Sequence, residues 1–311
     1  MTLEVTRANV ADQACVSTTE LCRTHGKSAV RARHARRSII AAQPLTGAGG
    51  IALIDAIVIA LVVAATALLC VYHLRRLRIA KFARRATLGS GSQRDTAFAL
   101  ATTIFGDVKR AKKDPAFLLP LLAPLGGSPV TILKKGACCS GVHRLYITCL
   151  DTLGIRAAQV TVFRRADPAH AHCLAQVTVE GANVLIDVDY GVWLRHPNEG
   201  SLDLVGLRTG VTPAIVPFVL DRQACYVNDA KTRAAGYPDR EYYRFDYNLT
   251  RTANWAETWP KRAVYGVLHP VTRGRVDYLL LPAILEWPEV LLAAALCGAA
   301  ILVLAARALA H

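Results

Sequence analysis

The sequence contains no Cys-x-x-Cys pair. That absence removes a structural zinc ribbon, whose ligands come in such pairs. Nine cysteines in 311 residues are too sparse and irregular for a disulfide scaffold. Charged residues make up only 19%, and the acidic ones are the scarcer: 23 Asp and Glu against 37 Lys and Arg, a formal +14. No internal repeat is visible. What is abundant is apolar: 53% of residues are hydrophobic and the mean hydropathy is +0.29, which excludes a disordered chain. A basic balance on an apolar-rich chain points first to an anionic membrane surface. Nucleic acid is the rival partner. It ranks low, because the basic residues flank an apolar run and lack interleaved aromatics.

Two long apolar runs bracket the chain. Ile51 to Tyr72 reads IALIDAIVIALVVAATALLCVY, with Asp55 its one charge. Val290 to Ala306 reads VLLAAALCGAAILVLAA and has none. A spanning helix needs about 20 apolar residues, so both are expected to cross a bilayer. Six basic residues follow the first run (Arg75, Arg76, Arg78, Lys81, Arg84, Arg85) and four precede it (Arg31, Arg33, Arg36, Arg37). That bias places the region between the spans on the cytoplasmic side. The expected organisation is a disordered basic tail over 1–50, a span over 51–72, and a basic juxtamembrane segment with a Gly-Ser linker over 73–92. A folded domain over 93–250, an aromatic and Pro-rich extension over 251–289 and a span over 290–306 complete it.

Within the folded domain, Arg94 to Lys113 reads as a helix. From Val142 the apolar residues Val142, Leu145, Tyr146, Cys149, Leu150 and Leu153 step by 3, 1, 3, 1 and 3, the buried stripe of an amphipathic helix. Gly154 is its expected C-terminal stop. Cys138 and Cys139 therefore lie at its N-terminus, where the helix dipole favours a thiolate. Ala157 to Phe163 reads as a strand by its β-branched content. His172 to Val179 and Asn183 to Asp189 read as a hairpin turning at Glu180-Gly181. That register pairs Val179 with Ala182 and makes Asp187 a same-face diagonal neighbour of His172.

A cysteine opening a helix, a histidine opening a strand and an aspartate on the next strand resemble the transglutaminase-like family of papain-type cysteine enzymes. Leu153-Gly154-Ile155 matches the family's helix end, and counting 15 residues back from Gly154 selects Cys139. His172 matches the family histidine, Asp187 lies 15 residues further on, and Asp187-Val188-Asp189-Tyr190-Gly191 resembles its Asp-Pro-x-Tyr-Gly ending. The resemblance covers Lys134 to Gly191. Departures are Leu174 for the family Trp, Gln176 for its Glu, and Ala137 for the Gly two before the nucleophile. Cys138, His170 and Asp189 compete with Cys139, His172 and Asp187.

The resemblance implies an α+β papain-like core: a Cys-bearing helix packed on an antiparallel sheet that carries His and Asp, between two transmembrane helices. It implies acyl transfer through a thioester, with Cys139, His172 and Asp187 as the triad and a protein or peptide amide as substrate. Membrane lipids are the other expected partner. No cofactor or metal is called for. Oxyanion donors are needed as well; the Cys139 backbone N–H is one candidate, and of upstream side chains Gln93 is available without support from spacing. Leu204 to Cys225 and Tyr237 to Trp259 would form the substrate groove. Asn254-Trp255 and Trp259-Pro260 would line it or meet the membrane. Trp287 is expected as an interfacial anchor. The alternative is a catalytically silent module for binding or assembly at the membrane, as in envelope or surface-polysaccharide assembly.

Overall fold

The computed structural model describes residues 48–111, 114–115, 126–166, 171–198, 201–218, 244–252 and 259–309. The expected tail up to residue 47, His170, Asn254, Trp255 and residues 219–225, 237–243 and 253–258 of the proposed groove lie outside them. Helix α1 (Ala48–Ala86) is 39 residues long. It does not stop at Tyr72. It runs on through the basic stretch, because Ile79 and Ala83, one helical turn apart, are fully buried in the domain core. Gly89 takes φ +87 and Ser92 caps helix α2 (Gln93–Asp107), its side chain accepting from the Asp95 N–H at 3.0 Å. Gly89 to Ser92 is thus a turn between two helices rather than a loose linker. Helix α2 ends at Asp107, short of Lys113, because the chain beyond it is drawn into a parallel bridge between Arg110 and Ala137.

Helix α3 (Pro129–Lys135) starts with Ser128 as cap and proline at its first position. Gly136, at φ +82, follows it, and a Cβ there would collide with the Lys109 carbonyl oxygen. Helix α4 (Cys139–Thr152) is buried from Gly141 through Leu150. Its end is a Schellman motif: Gly154 is left-handed, the Ile155 N–H donates to the Leu150 carbonyl at 3.0 Å, and the Gly154 N–H donates to Asp151 at 3.1 Å.

Six antiparallel strands follow: β1 (Ala157–Arg164), β2 (Ala171–Val179), β3 (Ala182–Asp187), β4 (Val192–Arg195), β5 (Ala214–Pro217) and β6 (Phe245–Arg251). Their order is β5-β4-β3-β2-β1-β6. Val179 pairs with Ala182, and Glu180 and Gly181 both take positive φ, the turn that suits a two-residue hairpin. The sheet is covered on both faces. Ala175, Val177 and Ile186 pack towards α1 to α4. Val160, Val162, Leu174 and Leu185 face a second cluster with Leu204 and Leu207 of helix α5 (Leu204–Arg208) and Phe245 of β6. Part of the expected groove is therefore core filling.

Helix α6 (Trp259–Val271), two 3₁₀ turns (Arg275–Tyr278 and Ala283–Glu286) and helix α7 (Pro288–Leu309) complete the chain. Helices α1 and α7 are each long and apolar enough to cross a membrane, an 18-residue stretch having a mean hydropathy of 2.7 within Ala52–Ala86 and of 2.4 within Pro288–Leu309. They pack side by side and are tied at both ends, Arg307 to Asp55 and Arg75 to Glu289. At 1.5 Å per residue, the ties on α1 stand about 30 Å apart, the thickness of a hydrocarbon core. Trp287 does not anchor at a lipid interface. Its ring is fully buried in the domain core, edge-on to Tyr72 at 5.2 Å.

Candidate active site

The first turn of α4 meets the beginning of β2 and the end of β3. Cys139 is the first helical residue and Cys138 the N-cap. His172 is the second residue of β2 and Asp187 the last of β3. His172 Nε2 lies 2.6 Å from Asp187 Oδ2, with both side chains buried. The other carboxylate oxygen, Oδ1, accepts from the backbone N–H groups of Asp189 at 2.8 Å and Tyr190 at 3.0 Å. A turn wrapped on its own aspartate thus fixes the carboxylate before it meets the imidazole. The His172 ring stacks on Tyr190 at 4.5 Å and lies near-parallel to Phe245 at 5.9 Å. Burial lowers the pKa of His172, but the charge and hydrogen bond of Asp187, with those of Cys139, outweigh it and hold it well above the ordinary value.

Cys138, Cys173 and His172 all act electrostatically on the Cys139 thiol. Cys138 lowers its pKa. Cys173 and burial push the other way and prevail, leaving it pushed up to about 11. Cys138 is a different kind of thiol. Its Sγ donates to Asp114 Oδ1 at 3.1 Å, and its backbone N–H donates to the same oxygen at 3.0 Å. Its hydrogen bond to Cys139, burial and the Asp114 charge all raise its pKa. His172 is among the groups that lower the pKa of Cys139, whereas the carboxylate of Asp114 is the side chain that holds Cys138.

The competing aspartate, Asp189, has another partner: Arg110 Nε stands 2.5 Å from its Oδ1. Gln93 sits at the opposite end of β2, where its Oε1 accepts from the Glu180 N–H at 3.3 Å. It is no part of this site. Gln176, at the family's Glu position, accepts from the Leu204 N–H at 2.8 Å and supports the loop under the second core. Leu174, at the Trp position, is fully buried in that core.

Sequence reasoning missed three residues. The first is His143, four after Cys139 and so on the same side of α4. Its Nδ1 donates to the Cys139 carbonyl at 2.8 Å, and its Nε2 accepts from the Val188 N–H at 3.1 Å. It is a neutral clasp between the Cys139 turn and the turn after Asp187. Burial holds its pKa below the ordinary value, against the pull of Asp187. The second is Asp114, which also crowds Gly141 so closely that a Cβ there would strike its carboxylate. The third is Cys173, next to the histidine. The i to i+4 spacing was the available signal for His143. Asp114 gave none, lying 24 residues before Cys138.

Among the described residues, no group of three His, Cys, Asp or Glu side chains is arranged to hold a metal ion. A cavity of about 440 Å³ is lined by Arg156, Gln176, Thr178 and Leu280 among others. It lies towards the far end of β1 and β2, away from His172.

No family model matches the chain, and no curated protein does. A solved structure described as "a Putative Cysteine Protease from Cytophaga hutchinsonii" is similar over 36% of this chain, at 16% identity and a TM-score of 0.29. The match spans 37% of that protein's length. Function is therefore read from the site's own geometry.

Proposed function

We propose that this protein is a membrane-anchored, transglutaminase-like cysteine acyltransferase or amide hydrolase with a papain-like core. Cys139 is the nucleophile, His172 the acid and base, and Asp187 the residue that orients it. Helices α1 and α7 hold the site at the bilayer, on the cytoplasmic side by the charge bias around α1. The observation that carries this reading is the 2.6 Å contact of His172 Nε2 with a buried, pre-oriented Asp187, on a ring that lowers the pKa of Cys139 at a helix N-terminus.

In the reactive form, the resting thiol–imidazolium pair has lost the thiol proton to solvent, leaving thiolate and imidazolium. The Cys139 sulfur bonds to an amide carbonyl carbon of a protein or peptide, and the carbonyl π electrons move to oxygen. The Cys139 N–H, at the first position of α4, is placed to receive that oxyanion. As the tetrahedral intermediate collapses, the C–N bond breaks and the imidazolium gives its proton to the leaving amine. A thioester and a neutral His172 remain. Water or an amine then attacks, His172 takes the attacking group's proton, and the thiolate–imidazolium pair is restored. Water as acceptor gives hydrolysis; an amine gives transglutamination.

One observation favours the silent binding module instead. The resting thiol is pushed up to about 11, so little thiolate is present at neutral pH. A generic acyl donor separates the two readings. The full chain in lipid nanodiscs is incubated with p-nitrophenyl acetate and the acetylated residue is mapped by mass spectrometry. Acetylation at Cys139 that turns over in water, speeds up with added amine and vanishes in His172→Ala is the expected result. Acetylation spread evenly over the exposed cysteines and indifferent to His172 would remove the enzyme reading.

A further inference from the structure

The stretch leading into α7 carries apolar side chains that the domain does not bury. In the 3₁₀ turn Ala283–Glu286, Ala283 is turned inward while Ile284 and Leu285 are exposed. Tyr278, Leu279 and Leu280 are exposed just before it. Leu285 is three residues from Pro288, where α7 begins. Three residues of chain reach about 10 Å at most. If α7 enters a bilayer at its first turn, where Glu289 meets Arg75, Ile284 and Leu285 stand at the headgroup level.

Helix α6 belongs to the same body. Tyr265 and Leu268 pack with Val276 and Leu281, and the Tyr265 hydroxyl donates to Asp277 Oδ1 at 3.2 Å. The outer side of α6 carries Val264, Val267 and Val271, at steps of three and four, and all three are exposed, Val271 at 76%. That is an amphipathic stripe turned away from the protein. Arg273 and Arg275, exposed in the adjoining turn, supply positive charge beside it. An apolar stripe with flanking cations is the pattern of a helix lying in a membrane interface.

We propose that α6 and residues 278–285 form an apron seated in the headgroup–acyl boundary of the leaflet that α7 enters. The occupant of the exposed apolar surface is that lipid leaflet, because only Glu286 and Trp287 separate Leu285 along the chain from the apolar helix α7. The apron adds a third attachment beside the two spans and fixes the tilt of the folded domain, and with it the site, over the bilayer. This inference rests on the reading of α1 and α7 as spans.

The test uses the full chain in phosphatidylcholine–phosphatidylglycerol vesicles that contain a phospholipid with a photoactivatable diazirine high on its acyl chain. After irradiation, labelled peptides are mapped by mass spectrometry. Label on peptides 264–271 and 278–285, at least about tenfold above the peptide carrying Val205, is the expected result. Val205 is an equally exposed apolar side chain, at 54%, but belongs to α5. The triple variant Val264→Ser, Val267→Ser, Val271→Ser leaves the inward residues intact and should lose label on α6 while keeping it on 278–285. Label on α1 and α7 alone overturns the apron and leaves the spans standing. No label on α1 or α7 overturns the spans themselves. Shielding of the α6 peptide that grows with protein density, together with inter-chain crosslinks there, would assign the surface to a second copy and overturn the lipid assignment.

Discussion

Helices α4 and α1 are both rich in apolar residues, yet their surroundings are opposite. Every residue of α4 from Gly141 to Leu150 is buried in protein. It lies between a sheet and three other helices, and even its polar residues are claimed: Arg144 by Glu286 at 3.0 Å, His143 by two backbone groups. Up to Leu69, α1 exposes Leu53, Ile57, Ile59, Val62, Val63 and Leu69 and, among the described side chains, buries only Ala65. Only its second half enters the core, through Ile79 and Ala83. Apolar content alone does not tell a protein interior from a lipid one. Polar groups do, because a buried donor must find its acceptor inside the fold, whereas a lipid-facing surface has none to satisfy.

The comparison can be broken at its ion pairs first. Arg75→Ala leaves the fully buried Glu289 without its cation, and should cost about 3–5 kcal/mol in the domain's unfolding free energy. Adding Glu289→Gln should restore most of it. Arg307→Ala opens the more exposed pair with Asp55 and should cost less than about 1 kcal/mol. Equal losses at the two ends would refute the boundary drawn here.

Leucine truncations sharpen it next. Leu145→Ala in α4 removes a fully buried side chain and should cost about 2–5 kcal/mol by denaturant unfolding followed by tryptophan fluorescence. Leu69→Ala in α1, nearly half exposed, should stay within about 1 kcal/mol. Between them falls Gly154→Ala, which forces an alanine to φ +75, at about 1 kcal/mol.

The histidines supply a pH-resolved version. Asp187 holds the folded-state pKa of His172 above its ordinary value. The stabilisation it brings is fully present below the unfolded value of about 6.5 and is lost as pH rises through the raised one. The stability gap between wild type and Asp187→Asn should therefore narrow as pH climbs into the alkaline range. His143 runs the other way: its pKa is lowered, so its contribution is present above about 6.5 and lost as pH falls. A wild type minus His143→Gln gap that narrows on acidification is the expected signature.

Much of the site could be read from periodicity. The 3.6-residue stripe placed Cys139 at a helix start. The period of two and the Glu180-Gly181 turn fixed the register that brings Asp187 to His172. What could not be read depended on long-range packing. Asp114 reaches Cys138 from another part of the chain. Helix α1 outlasts its apolar run because two buried apolar residues, Ile79 and Ala83, sit among arginines. Trp287 was expected at the lipid boundary on residue type and position, but the core beneath α4 had room for its ring beside Tyr72. The helix drawn to Lys113 stops at Asp107 because the following backbone has a partner at Ala137. Propensity gives no warning of either.

The central claim is that one imidazole, held by Asp187, controls one thiol, and the pH dependence of Cys139 alkylation tests it most directly. The full chain is treated with a limiting haloacetamide from pH 6 to 10, and labelling of Cys139 is followed beside Cys138 and Cys173 in wild type and His172→Gln. With the thiol pushed up to about 11, wild-type Cys139 should label faster as pH rises across the whole range, outpacing Cys138 throughout, and His172→Gln should lose most of that lead below pH 9. Superimposable profiles for wild type and His172→Gln, or Cys138 as the faster thiol, would contradict the account.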